Sequence, residues 1–204
     1  MNLKKHLDRA EQALEKGQPD FAAELCDQVL DFAPGEQRAA NLLTQAILAC
    51  ADEKSKLLGR IGAGPAFFAA KIQKLIRNPD GEARSMRRAF MRDPHSIEKG
   101  LTWASALENA GYAGAALGVY AALSSFSGAA ARSAGDLAAA QGDIDDALNH
   151  YQLALDINPR DTAAMRARKN LAAERALQGK QYDEEGSSGL DTEAFRRAAL
   201  GEDS

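Results

Sequence analysis

One spaced signature recurs along this chain and restricts what it can fold into. Counting from Gly142, landmark residues fall at Ala147, Tyr151, Ala154 and Leu155, and Pro159 closes the series. The same offsets from Gly17 give Ala22, Cys26, Val29, Leu30 and Pro34, and from Gly111 they give Ala116, Tyr120, Leu123 and Ser124. A glycine turns the chain and small residues mark where two helices touch. The proline stops the second helix, because it lacks the N–H that a helix interior needs. Repetition at these offsets predicts a row of helical pairs.

Hydrophobic periodicity agrees. Spacing near 3.6 predicts helices over Leu3–Lys16, Phe21–Phe32, Glu36–Asp52, Pro65–Arg77, Asp80–Arg92, Ser96–Asn109, Ala113–Ser124, Ala129–Gln141, Ile144–Ile157 and Thr162–Gln178. Leu25, Val29 and Phe32 are expected on one face, as are Ile72, Leu75 and Ile76. Pro34, Pro65, Pro79, Pro94 and Pro159 fall at joints. No segment alternates at period two with β-branched enrichment, as a half-buried strand does. The expected fold class is all-α.

The stretch Gly128 to Asp161, GAAARSAGDLAAAQGDIDDALNHYQLALDINPRD, carries the pattern most fully. Ala134, Gly135 and Ala138 on its first helix meet Ala147 and Ala154 on its second, with Tyr151 filling the space beside them. This stretch resembles a tetratricopeptide repeat (TPR), a hairpin of about 34 residues that stacks on copies of itself. The resemblance implies a right-handed superhelical solenoid of helix-turn-helix hairpins over residues 1–180. Its best repeat is 128–161; degenerate repeats are 3–36, 37–62, 65–94 and 97–127, and a capping helix covers 162–178. The bulky aromatic of the family's first helix is replaced by Ala131 in the last copy and His6 in the first, while Trp103 and Tyr112 supply aromatics in the middle.

The resemblance also implies a function: a non-catalytic adaptor or scaffold that holds a partner protein or peptide in a concave groove lined by first helices. Carried onto this chain, the groove positions are Arg132 and Asp136 on the best copy, Arg166 and Asn170 on the helix after it, and Ser105 and Asn109 on the copy before it. Lys4, Leu7 and Glu11 hold those places in the first copy. Arg132 with Asp136, and Arg166 with Asn170, repeat a cation followed by a polar group, a ladder suited to an acidic or extended peptide. Chaperone-cofactor members clamp a carboxylate with basic and amide groups where this chain has Leu101 and Ser105, so no chaperone tail is expected.

A second candidate surface lies in residues 71–92. Lys71, Lys74 and Arg77 share one helix flank, opposite Phe68, Ile72, Leu75 and Ile76. Arg84, Arg87, Arg88 and Arg92 form a stripe opposite Met86 and Phe90, against only Asp80 and Glu82. A solvated face, a dock for an acidic protein segment, and a phosphate contact to RNA or an anionic membrane surface all fit this patch. It lacks the interleaved aromatics that stack bases.

Elsewhere the sequence mostly excludes. A net charge of −4 and a pI near 5.5 argue against a dedicated nucleic-acid binder. Gly59 to Gly64 lacks the preceding strand and following Lys-Ser/Thr of a phosphate loop, which leaves a direction-changing loop. His6, His95 and His150 form no ligand pair, and adjacent carboxylates such as Asp145-Asp146 diverge on a helix. No nucleophile elbow is present. No catalytic residue, metal or cofactor is therefore expected. Cys26 and Cys50 sit at apolar helical positions as small hydrophobes, with a disulfide between adjacent hairpins as the other option. Lysines at the amino terminus are followed by charged residues rather than an apolar run, and no stretch spans a membrane, so the chain reads as cytoplasmic. Residues 181–204 read as a flexible acidic tail in which 191–200, with Phe195 and Leu200, forms a short recognition helix.

Overall fold

Capping side chains set where many of the helices start. Asn2, Asn78, Ser96, Ser127 and Asp143 each accept a hydrogen bond from the backbone N–H three residues on, which satisfies a donor the first turn leaves without a partner. The structure, a computed structural model, describes residues 2–52, 65–66, 68–73 and 78–177. Helices α1 (Leu3–Glu15), α2 (Pro19–Phe32) and α3 (Gln37–Ala49) come first, and α3 ends in a 3-10 turn, Cys50–Asp52. Next come α4 (65–66 and 68–73), α5 (Pro79–Arg92), α6 (Ile97–Asn109) and α7 (Ala113–Leu123). The series ends with α8 (Gly128–Ala140), α9 (Ile144–Ile157) and α10 (162–177). Every regular element among the described residues is helical.

The elements pack as sequential hairpins: α1 on α2, α6 on α7 and α8 on α9, with α2 on α3, α5 on α6 and α7 on α8 between them. Gly17, Gly111 and Gly142, the three registration glycines, have φ of +68°, +83° and +83°, a region that costs a side chain dearly. In each turn the next residue's N–H reaches back to the carbonyl five positions earlier: Gln18 to Ala13, Tyr112 to Leu107, and Asp143 to Ala138, at 2.8–2.9 Å. That bond closes the helix end. Ala134, Ala138, Ala147, Ala154 and Tyr151 are all buried, and Gly135 lies flat under the Tyr151 ring.

One contact is not between sequence neighbours. Helix α3 packs along α7 as closely as hairpin partners do, whereas a repeat in a simple solenoid touches only the next. Small residues make this approach feasible. A Cβ on Gly118 would lie 2.3 Å from the Gln37 carbonyl oxygen, and the Asn41 side-chain amide donates to the Gly118 carbonyl at 3.0 Å across 77 residues of chain. The first three helices thus fold against the middle of the chain. Trp103, 1 % exposed, lies in the joint beside Phe90, their ring centroids 6.3 Å apart. Leu30 and Pro34 of the first unit line a small cavity with Trp103 and Leu107.

The apolar faces differ from expectation at three places. Leu25 and Val29 are buried, but Phe32, at the last position of α2, is 76 % exposed. On α4 the buried residues are Ala66 and Ala70, so Phe68 and Ile72 face solvent. Leu75, Ile76, the Gly59–Gly64 loop and the tail lie outside the described residues.

Alanine at position 118 tests the α3–α7 contact by the sign of its effect. In an ordinary helix interior, glycine to alanine stabilises by about 1 kcal/mol. Gly118→Ala is expected instead to destabilise by about 1–3 kcal/mol, through overpacking against backbone. Gly114→Ala, whose added Cβ meets nothing closer than 3.6 Å, is expected to be tolerated. Thermal melts read both; a midpoint raised by Gly118→Ala contradicts the contact.

Candidate functional site

The groove positions divide into those tied into the fold and those left open. Arg132 Nη1 donates to Asp161 Oδ2 at 2.8 Å. The other Asp161 oxygen accepts the backbone N–H groups of Ala163 and Ala164 at 3.1 Å, capping α10. The Ala164 bond leads in holding the Asp161 carboxyl below its ordinary pKa, helped by the Arg132 charge. A lowered carboxylate pKa means its contribution to stability is present above the unfolded value and is lost as pH falls through the folded one. Asp136 accepts the Tyr151 hydroxyl at 2.8 Å. One hairpin earlier, Glu108 accepts the Tyr120 hydroxyl at 2.7 Å, so an acid on the first helix and a tyrosine on the second clasp each pair. Both phenol pKa values are raised, first by burial and then by the carboxylate.

Arg132 and Asp136 are therefore structural ties, a departure from the ladder expected of them. The ladder reading missed Asp161 and Tyr151 because neither lies on the first helix. Arg166, Asn170, Ser105 and Asn109 are exposed.

The basic segment is corrected more sharply. Arg87 is not on an outward stripe: its side chain is only 5 % exposed, with Nε 2.8 Å from Asp27 Oδ1. A guanidinium nitrogen of Arg87 also donates to Asp31, and Arg84 Nε lies 4.0 Å from Asp31. The close Arg87 Nε–Asp27 contact is an ion pair in which the N–H does not point at the oxygen. Burial pushes the Asp27 pKa up, and the Arg87 charge pulls against it. The acidic segment that meets this stripe is α2 of the same chain. Lys71, Arg88 and Arg92 are exposed; Lys74 and Arg77 lie outside the described residues.

A cleft of about 640 Å³ lies between α1 and α3. Glu11, Leu14 and Glu15 form its α1 side, and Glu36, Gln37, Arg38, Asn41, Leu42 and Gln45 its α3 side. Its volume is within the range of ligand sites. Arg38 bridges Asp8 at 2.8 Å and Glu11 at 2.5 Å, which neutralises the cation and props α1 against α3. Gln45 donates to the Asn41 side-chain oxygen at 2.5 Å. Sequence reasoning found only Glu11 here. The signal for the rest was the spacing of Gln37, Asn41 and Gln45, three amides on one helical ridge.

Little in the described residues is arranged for chemistry. No three His, Cys, Asp or Glu side chains among them converge as metal ligands. His6 Nδ1 donates to the Asn2 carbonyl at 3.0 Å within its own helix, and His150 is half-buried with its pKa lowered by burial. Cys26 and Cys50 are buried thiols and form no disulfide. Burial pushes the Cys26 thiol up to about 12, so it carries no nucleophilic thiolate near neutrality. The Cys50 thiol donates to Asp20 at 3.3 Å.

Two-helix units with a left-handed glycine between the helices, the first and last of them followed by a proline, match the spacing read from the sequence. The hairpins are TPR-like. No family model and no curated protein matches the chain. Solved structures do match. The crystal structure of YrrB, described as a TPR protein with an unusual peptide-binding site, is 19 % identical over 80 % of this chain and 90 % of its own, with a TM-score of 0.46. That of MamA is 17 % identical over 91 % and 96 %, TM-score 0.45. TTC0263, a thermophilic TPR protein in Thermus thermophilus, is 15 % identical over 84 % and 99 %, TM-score 0.42. No helix among the described residues is long and apolar enough to cross a membrane.

Removing the guanidinium at position 87 tests the internal charge cluster. Stripping one partner from a fully buried pair costs roughly 3–5 kcal/mol. Asp31 keeps 47 % of its side-chain surface in water, so Arg87→Met is expected to cost less, about 2 kcal/mol. Adding Asp27→Leu should recover part of the loss in urea unfolding. Wild-type stability in the single variant contradicts the buried pair.

Proposed function

We propose that this chain is a non-catalytic adaptor that holds a segment of a partner protein along its first-helix face. The observation that carries the reading is the open cleft between two first helices, α1 and α3. The second helices are anchored by Tyr120, Tyr151, Asp27 and Asp31, all engaged inside the molecule. The cleft remains open, and Arg166, Asn170, Ser105 and Asn109 face solvent. Residues 1–180 act as one binding unit, and 181–204 as a tail whose segment 191–200 adds a contact. The proposed setting is cytoplasmic, with Cys26 and Cys50 serving as buried small hydrophobes.

The rival reading, RNA or an anionic membrane surface bound through residues 71–92, has less support. Its central arginine is spent on Asp27 and Asp31, and the protein as a whole is acidic. Phosphate-driven binding weakens steeply with salt, so the two separate by titration.

The test is affinity isolation from the native cell with the intact chain and with a face-reversed variant carrying Glu15→Lys, Ser105→Glu and Arg166→Glu. A defined protein, recovered by the first bait and lost with the second at moderate salt, is the expected result. Equal recovery by both baits rejects the first-helix face as the binding surface.

A further inference from the structure

We infer that the cleft between α1 and α3 takes an extended basic peptide segment of a partner protein. This rests on the adaptor reading and gives it a chemistry at one end of the face. Arg38, the one cation among the described residues that line the cleft, is answered by both Asp8 and Glu11. Glu15 and Glu36 add two further carboxylates to the walls, and neither has an ion-pair partner among the described residues. A guest entering the cleft therefore meets net negative charge, which repels phosphates and carboxylates and attracts Lys or Arg.

The ridge of α3 supplies the rest of the recognition. Side chains eight apart on a helix step about 12 Å along its axis, close to the roughly 14 Å across four residues of an extended strand. Gln37 and Gln45 stand on that ridge with Asn41 between them, and both line the cleft. Asn41 is spent on the Gly118 carbonyl and on Gln45, so the middle of the ridge is tied to α7, and Gln37 and the remaining N–H and carbonyl of Gln45 are left to a guest. Terminal amides offer a donor and an acceptor, the pairing that a peptide backbone requires. Leu14 and Leu42 give the floor an apolar contact for the guest's aliphatic stems.

The experiment is fluorescence anisotropy with the intact chain and three labelled peptides of equal length. They alternate leucine or alanine with lysine, with glutamine, or with glutamate. The lysine peptide is expected to bind best, and Glu15→Lys with Glu36→Lys to weaken it about tenfold. A control variant, Asp156→Lys with Glu174→Lys, changes net charge equally at exposed sites on α9 and α10 and is expected to keep binding within about twofold. Equal loss in both variants means bulk attraction and overturns the inference, as does a lysine peptide that fails to bind. Preference for the glutamate peptide, abolished by Arg166→Glu, also overturns it while leaving the adaptor reading standing. Failure of that broader reading shows separately, as unchanged partner recovery by the face-reversed bait.

Discussion

The Gln37 carbonyl lies where a side chain at position 118 would have to sit, and the placement of the first three helices depends on that approach. Alanine-rich helices bury little area per residue, so they gain stability by coming close rather than by interlocking large side chains. Gly118 lets α7 come within backbone distance of α3, and Asn41 satisfies a carbonyl there. With α3 fixed, the α2 acids face α5, and Arg87 is drawn into the gap between them. The α3 wall of the cleft is held by the same contact, because Asn41 of its amide ridge bonds to α7.

Several charged groups of this molecule are spent on orientation. Arg132 holds the cap of α10, Asp136 holds a tyrosine, Arg38 spans α1 and α3, and Lys99 pairs with the buried Asp93. Such ties stabilise modestly where exposed. They do more to fix the angle at which one small-residue surface meets the next helix. The exposed polar groups that remain are acidic in the cleft between α1 and α3 and include Arg166 on α10.

Local features were legible in the sequence. Gly17, Gly111 and Gly142 mark the turns because only glycine adopts their φ cheaply, and the small residues of α8 and α9 mark touching faces because a larger side chain would separate them. The α3–α7 contact was not legible. It joins residues 77 apart through backbone, and a glycine inside a helix says that something comes close without saying what. The fate of Arg87 was hidden for a related reason: Arg87 and Arg88 differ by one step around the helix, yet one is buried and the other exposed. At the ligand face, Arg132 and Asp136 repeated as a ladder would, but repetition also results when each hairpin needs the same internal tie. The acidic cleft was missed because its two walls belong to different hairpins.

Proton NMR on the intact chain tests the fold-back most directly. With the Asn41 amide 3.0 Å from the Gly118 carbonyl oxygen, nuclear Overhauser contacts are expected from the Asn41 side-chain NH2 to protons of Gly118 and Val119. Finding them establishes that the first three helices close onto the middle of the chain. Their absence, with Asn41 contacting only α1, α2 and its own helix, describes an open row of hairpins and contradicts the fold-back.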